Sequence, residues 1–241
     1  MRAETRHSLK QDRFSKATIR AAEQTAHWTA EHKLNLIIGT VVVAAVVAAA
    51  AGAWYYLGQQ DEKASIQLSE AVRTLDTQVR PPGVPAQPDT PSFGSATERA
   101  IAARKQFQAI ADKYPHTRTA DFARYFAGVT SADAGDNNVA ERALQQVASS
   151  HNRNLAALAK FALASVYRKE NKDAQAIDLY KQLISSPAET VGKVTAQMEL
   201  ASLYQSKQQA AEAKRIYEQI QKENPSSEAA SLAGQKLAQL K

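Results

Sequence analysis

The sequence contains no cysteine, which excludes disulfide bonds, thiolate metal sites and cysteine nucleophiles. It has only nine glycines and eight prolines in 241 residues, and aromatic residues make up only 7% of the chain. Hydrophobic residues nevertheless make up 44%, and alanine is prominent among them. Because alanine lets helix axes approach closely, this composition favours helices packed on helices over a β-sheet.

Known catalytic patterns are also missing. We find no glycine-rich phosphate loop, no HExxH, no GxSxG and no carboxylates at metal-ligand spacing. His116 and His151 are isolated and fall in predicted loops. The net charge of +6 is spread along the chain without a dense basic block, so no nucleic-acid partner is expected. We therefore predict a non-enzymatic protein with no cofactor and no metal.

One uncharged run dominates the N-terminal part of the chain. Residues 34–57 read LNLIIGTVVVAAVVAAAAGAWYYL, and these 24 residues are long enough to cross a hydrocarbon core of about 30 Å. Trp54, Tyr55 and Tyr56 at its end suit the membrane–water interface. The alternatives are a buried core helix and a signal peptide cleaved near Ala51-Gly52-Ala53. We predict that residues 34–57 form a transmembrane helix in contact with the lipid bilayer.

The charges around this run set the expected orientation. Residues 1–33 carry seven Lys/Arg against four Asp/Glu, although within 20 residues of the span the contrast is only three against two. The positive-inside bias places this basic tail in the cytoplasm and residues 58–241 in the periplasm of a Gram-negative inner membrane. Residues 8–33 suit either an interfacial helix or a solvated helix leading into the span. His27 and His32, five apart, do not form a metal pair.

A small residue followed four positions later by a large one recurs through the remaining chain. The spacings between the successive alanines are 37, 36 and 37 residues. The pairs are Ala103/Phe107, Ala140/Leu144, Ala176/Tyr180 and Ala213/Tyr217. Repetition at a fixed period of this length indicates stacked helical units.

A second signature lies thirteen residues before three of these alanines. Its members are Ala127-Gly128-x2-Ser131, Leu163-Ala164-x2-Tyr167 and Leu200-Ala201-x2-Tyr204. Pro115, Pro187 and Pro225 close three units, and Asn152 stands at that place in the other. Each unit is therefore predicted to be a hairpin of two helices in which small residues permit close approach and large residues fill the groove. The predicted turns cover residues 135–138, 170–173 and 206–209.

These signatures resemble the tetratricopeptide repeat, whose pattern is W-x2-L-G-x2-Y, then A-x3-F, then P. This chain departs from the pattern in lacking the leading Trp, in replacing Gly by Ala in two units, and in its longer period of 36–37. The resemblance implies an all-α protein. A single transmembrane helix precedes a tetratricopeptide-like α-solenoid of about four hairpins plus a capping helix over residues 226–240. The alternative is a generic alanine-rich helix bundle.

The first unit has an unusual boundary. Apolar spacing over residues 61–79 predicts a helix, so we assign residues 58–79 to the first helix of unit one, continuous with the membrane helix. Residues 80–95 form a proline-rich insertion, with five prolines within 81–91, expected to be flexible or extended. Residues 96–241 then form the repeat domain.

The complete arrangement resembles the ancillary SecYEG translocon subunit family, also called the YfgM-like family. The residues that carry this resemblance are Leu9–Phe14 with Trp28 and His32, and the hairpins from Ala120 to Ile220. It implies an adaptor whose partners are translocon subunits, periplasmic chaperones or exported polypeptides. The segment from Phe107 to Pro115 is also similar to periplasmic coordinators of cell-wall growth or outer-membrane assembly, which is the alternative function. An enzyme with an unrecognised site is the alternative of another class.

An adaptor of this kind would bind its partner along an inner groove formed by the first helices of the units. The predicted contact residues are Arg124, Lys160, Arg168 and Gln197. The residues predicted to pack the repeats are Ala103, Phe107, Gly128, Ala140, Leu144, Ala164, Tyr167, Ala176, Tyr180, Ala201, Tyr204, Ala213 and Tyr217.

Overall fold

The computed structural model describes residues 33–85 and 91–240. The predictions for the basic tail before residue 33, including the histidines 27 and 32, and those for residues 86–90 of the insertion lie outside these residues. The chain divides into two compact units, residues 1–56 and 57–241.

Helix α1 runs from Lys33 to Asp76 and contributes to both units. All residues from 34 to 57 are exposed. Thr40 satisfies its hydroxyl within the helix by donating to the Leu36 carbonyl at 2.8 Å. Such internal pairing is what an apolar solvent requires. The helix is long and apolar enough to cross a membrane.

Within residues 57–241, α1 ends earlier than predicted. Its last residue is Asp76 rather than Val79, and Gln78–Val79 form strand β1, which pairs in parallel with strand β2 at Ser92–Phe93. The extended backbone that follows fits the sequence, because the position before a proline disfavours the helical conformation and Arg80 precedes Pro81. The Arg80 backbone N–H donates instead to the Phe93 carbonyl at 2.9 Å.

Eight further helices follow in the described part of the chain. They are α2 (Ala96–Lys113), α3 (Arg118–Asp133), α4 (Asn137–Ala148), α5 (Arg153–Lys169), α6 (Asp173–Ser185), α7 (Lys193–Ser206), α8 (Ala210–Glu223) and α9 (Glu228–Gln239). Five of them begin at a side chain that accepts a bond from the first turn, as N-caps do. These caps are Ser95, Thr117, Asp136, Asn152 and Ser227.

The helices pack in sequence order as hairpins. The end of α1 with α2 forms unit one, followed by α3–α4, α5–α6 and α7–α8, with α9 covering the last unit. In every second helix the small residue and the large residue of the pair are completely buried. Tyr204 is the one predicted packing residue that is only half-buried. The all-α solenoid of four hairpins and a capping helix is thus confirmed.

The turns inside units two, three and four share one backbone conformation. Gly135, Asn171 and Gln208 have φ values of 85°, 59° and 59°, the left-handed region in which glycine is most comfortable. An ion pair also joins each of these turns to the second helix of the preceding unit. The pairs are Asp136–Arg104, Lys172–Glu141 and Lys207–Asp173. The turns therefore bind one repeat to the next as well as reversing the chain.

Candidate protein-binding surface

Large apolar side chains recur at fixed places on the first helices. Tyr125, Phe161 and Met198 each lie three residues before the small residue of their helix, and all three are half-buried. Phe122 and Leu158 lie one turn further towards the N-terminus of α3 and α5, and Phe122 is 37% exposed. Residues at equal offsets from the buried residue point in equivalent directions. We call these five residues the first-helix row.

Core side chains hold this row from beneath. The Tyr125 ring contacts the Phe126 ring with centroids 5.3 Å apart, and Phe161 meets the fully buried Tyr180 edge to face at 6.0 Å. Burial raises the pKa of the Tyr125 hydroxyl above its usual value, so it stays neutral at physiological pH. Rigid, partly exposed aromatic residues lose little entropy on binding and are typical energetic centres of protein interfaces.

A charged pair lies on the same helices. The Arg168 guanidinium of α5 bonds to the Glu199 carboxylate of α7 at 2.7 Å, with side chains 28% and 40% exposed. Burial raises the pKa of the Tyr180 hydroxyl, and the positive charge of Arg168 opposes that rise. Arg168 therefore spans adjacent units, and part of it still faces solvent. It stays a predicted partner-binding residue.

The other predicted contact residues lie elsewhere. Gln197 is only 1% exposed, so the prediction that it meets a partner is wrong. Arg124 directs its guanidinium to Asp121 at 2.8 Å and to the Pro115 carbonyl at 2.9 Å. Lys160 borders a cavity formed with the ends of α4 and α6. None of the three belongs to the first-helix row.

These three residues share a position that explains their placement. Each lies four residues before the small residue of its first helix, where the repeat pattern has its leading Trp. In unit one Gln67 stands four residues before buried Ala71 and donates to the Tyr114 hydroxyl at 3.1 Å. The sequence period does not reveal Gln67, because the insertion interrupts it before Ala103. The missing Trp is thus replaced by polar residues that face the ends of second helices.

Solved structures share this fold. A tetratricopeptide repeat protein from Parabacteroides merdae aligns with 76% of this chain at 17% identity and a TM-score of 0.53. This chain spans only 60% of that protein's length. A putative kinesin light chain from Podospora anserina, described as having nearly identical TPR-like repeats, aligns with 75% of this chain and 85% of its own length. The identity is 16% and the TM-score 0.55.

Family comparison agrees with the fold. The tetratricopeptide repeat-like domain model matches residues 26–183, and a tetratricopeptide repeat model matches residues 195–227. A comparison with curated proteins returns no match. Repeats of this class mediate protein–protein interactions, generally as non-enzymatic scaffolds, through surfaces shared by successive units. Since the first match covers more than half of the sequence, the chain belongs to the tetratricopeptide repeat-like domain family.

Proposed function

We propose that this protein is a membrane-anchored, non-enzymatic adaptor that serves as an accessory subunit of the Sec translocon. The repeat domain would bind translocon subunits, periplasmic chaperones or exported polypeptides. The observation that carries the binding part of the proposal is the first-helix row, which presents large apolar side chains in three successive units. A partner segment that buried this row would gain apolar contact along its whole length.

The membrane part of the proposal rests on α1 and on the charge pattern. Residues 34–57 have no charged side chain, and the Lys/Arg excess of the tail favours a cytoplasmic N-terminus. The repeat domain would then work in the periplasm. The assignment to the translocon follows from the resemblance to its ancillary subunit family, which combines the same tail, span and hairpins.

Site-specific crosslinking in living cells tests the binding surface. A photoreactive phenylalanine analogue is placed at Phe122 or Leu158 on the first-helix row, and at exposed Arg142 or Lys181 on second helices as matched controls. We expect crosslinks to translocon subunits, chaperones or exported chains from the row positions only. Equal crosslinking from the control positions would show that the row is not the binding surface. Crosslinks to cell-wall or outer-membrane assembly proteins would instead support the alternative function.

A topology reporter tests the orientation separately. Alkaline phosphatase fused after residue 241 folds into an active enzyme only outside the cytoplasm, so we expect activity. Activity of a cytoplasmic reporter at the same junction would reverse the proposed orientation. This result does not depend on which partner is found.

A further inference from the structure

A basic cavity lies at the junction of units two and three, away from the first-helix row. Its volume is about 270 Å³. Polar and basic side chains from the α4–α5 connection, α5 and α6 line it, namely Ser149, His151, Arg153, Lys160, Gln182 and Ser186. No lining residue is acidic. The cavity therefore concentrates positive charge without an internal counter-charge.

Lys160 is the central residue of this cavity. It stands at the leading Trp position of the repeat pattern, so a flexible chain replaces a large ring between α4, α5 and α6. Lys160 is half-buried, and among the described residues no carboxylate pairs with it, whereas the half-buried Lys172 and Lys193 both have carboxylate partners. Taking a cation partly out of water without a counter-charge is unfavourable. Lys160 is thus without a counter-charge among the described residues.

Arg153 adds a second, fixed cation at the cavity. Its Nη2 donates to the Ser186 hydroxyl at 3.2 Å and to the Pro187 carbonyl at 2.8 Å. Both acceptors are neutral, so they hold the guanidinium in place without cancelling its charge. Arg153 is also the first residue of α5, where the positive end of the helix dipole adds to the field.

An adjoining cleft decides what kind of anion fits. It has a volume of about 600 Å³ and shares Ser150 and His151 with the cavity. Arg118 lies in this cleft, and the carboxylate there, Asp121, is already bonded to Arg124. A single compact anion cannot occupy both spaces. An extended chain with several carboxylates would match the cationic groups one after another.

We propose that the cavity and the adjoining cleft bind an acidic segment of a partner polypeptide. Lys160 and Arg153 pair with its carboxylates in the cavity, and Arg118 pairs with a further carboxylate in the cleft. This site is separate from the first-helix row and does not depend on the membrane topology.

Binding of a fluorescein-labelled hexaglutamate peptide tests this inference. Fluorescence anisotropy is measured on the full-length protein in neutral detergent, with hexaglutamine as the uncharged control peptide. We expect hexaglutamate alone to bind, and Lys160→Trp, which fills the cavity with the residue of the repeat pattern, to weaken binding by about tenfold or more. Arg153→Gln should have an effect in the same direction. Lys236→Gln changes a half-buried lysine of α9 and should leave binding unchanged.

Circular dichroism establishes that each variant is folded before binding is compared. If Lys160→Trp is folded and still binds hexaglutamate like the wild type, the cavity is not the site and the proposal is wrong. If Lys236→Gln weakened binding as much as Lys160→Trp, the net charge of the protein would explain the effect, and the proposed site would also be wrong. Competition by inorganic phosphate at concentrations equal to the peptide would show a compact anion site instead of a peptide site.

Discussion

Replacing Gly128 by Ala should destabilise the protein, although alanine is the better helix former. A Cβ at position 128 would lie 2.7 Å from Cγ and 2.9 Å from Cδ2 of Leu144, a side chain with no exposed surface. Overpacking a core by one methyl group costs about 1–3 kcal/mol, while the gain in helix propensity is about 1 kcal/mol. Because a buried, branched carbon cannot move aside, we expect the cost to exceed the gain, with a net loss of up to about 2 kcal/mol.

Unfolding of the full-length protein in neutral detergent, followed by circular dichroism, measures this loss. Gly234→Ala is the matched control, since its Cβ would meet only the side-chain amide end of Gln221 at 2.8 Å, which can rotate away. That variant should keep or gain up to about 1 kcal/mol. Leu144→Ala should cost about 2–5 kcal/mol alone and less in the Gly128→Ala background, because the new methyl fills part of the space. If Gly128→Ala is as stable as Gly234→Ala, the predicted crowding is wrong.

Three further changes probe the turns and the core. Gln208→Gly should stabilise by about 1 kcal/mol, because Gln208 has a φ of 59°, and chemical denaturation measures the gain. Glu141→Gln should lower the thermal midpoint at neutral pH but not in acid. Hydrogen bonding from Lys172 holds the Glu141 pKa below its ordinary value of 4.5, so its contribution is present above that value and lost as the pH falls through the folded pKa. Ala176→Leu should cost about 1–3 kcal/mol in thermal unfolding, because Ala176 is completely buried.

Each of these changes has its own control or refuting result. Gln209→Gly, at a φ of −88°, should not stabilise, so a gain there equal to that of Gln208→Gly would remove the backbone explanation. A midpoint difference for Glu141→Gln that stays constant as the pH is lowered from neutral through the acid range would remove the ion-pair explanation. Unchanged thermal stability of Ala176→Leu would mean that this residue does not face a packed helix.

The helical hairpins were predictable because each rests on local and periodic signals. Ala176 and Tyr180 are four residues apart, which places them on one face of α6, and both are completely buried. The prediction that prolines end the second helices also holds, since α6 ends at Ser185 before Pro187 and α8 ends at Glu223 before Pro225. Repetition over several units made these weak signals specific.

Other features depend on contacts that the period does not encode. The parallel pairing of Gln78–Val79 with Ser92–Phe93 joins the segment before the proline-rich insertion to a segment within it, and no repeat pattern predicts it. The first-helix row had a detectable signal, because Tyr125, Phe161 and Met198 recur at one offset from the small residues. The predicted contact residues Arg124, Lys160 and Gln197 each lie one position before a member of this row.

The leading Trp position shows why charge was a poor guide to binding. In each unit a polar residue at this place meets the end of a second helix, but its surroundings differ. Gln67 bonds to a tyrosine hydroxyl, and Arg124 bonds to a backbone carbonyl and a carboxylate, whereas Gln197 is buried and its Oε1 has no hydrogen-bond partner among the described residues. The sequence shows that a polar residue replaces the tryptophan of the repeat pattern. It does not show whether that residue has a hydrogen-bonding partner, because such partners are distant in sequence. Only the packed structure separates the bonded Gln67 and Arg124 and the buried Gln197 from Lys160. Lys160 faces a cavity and has no carboxylate partner among the described residues, so it is Lys160 that we expect to bind a ligand.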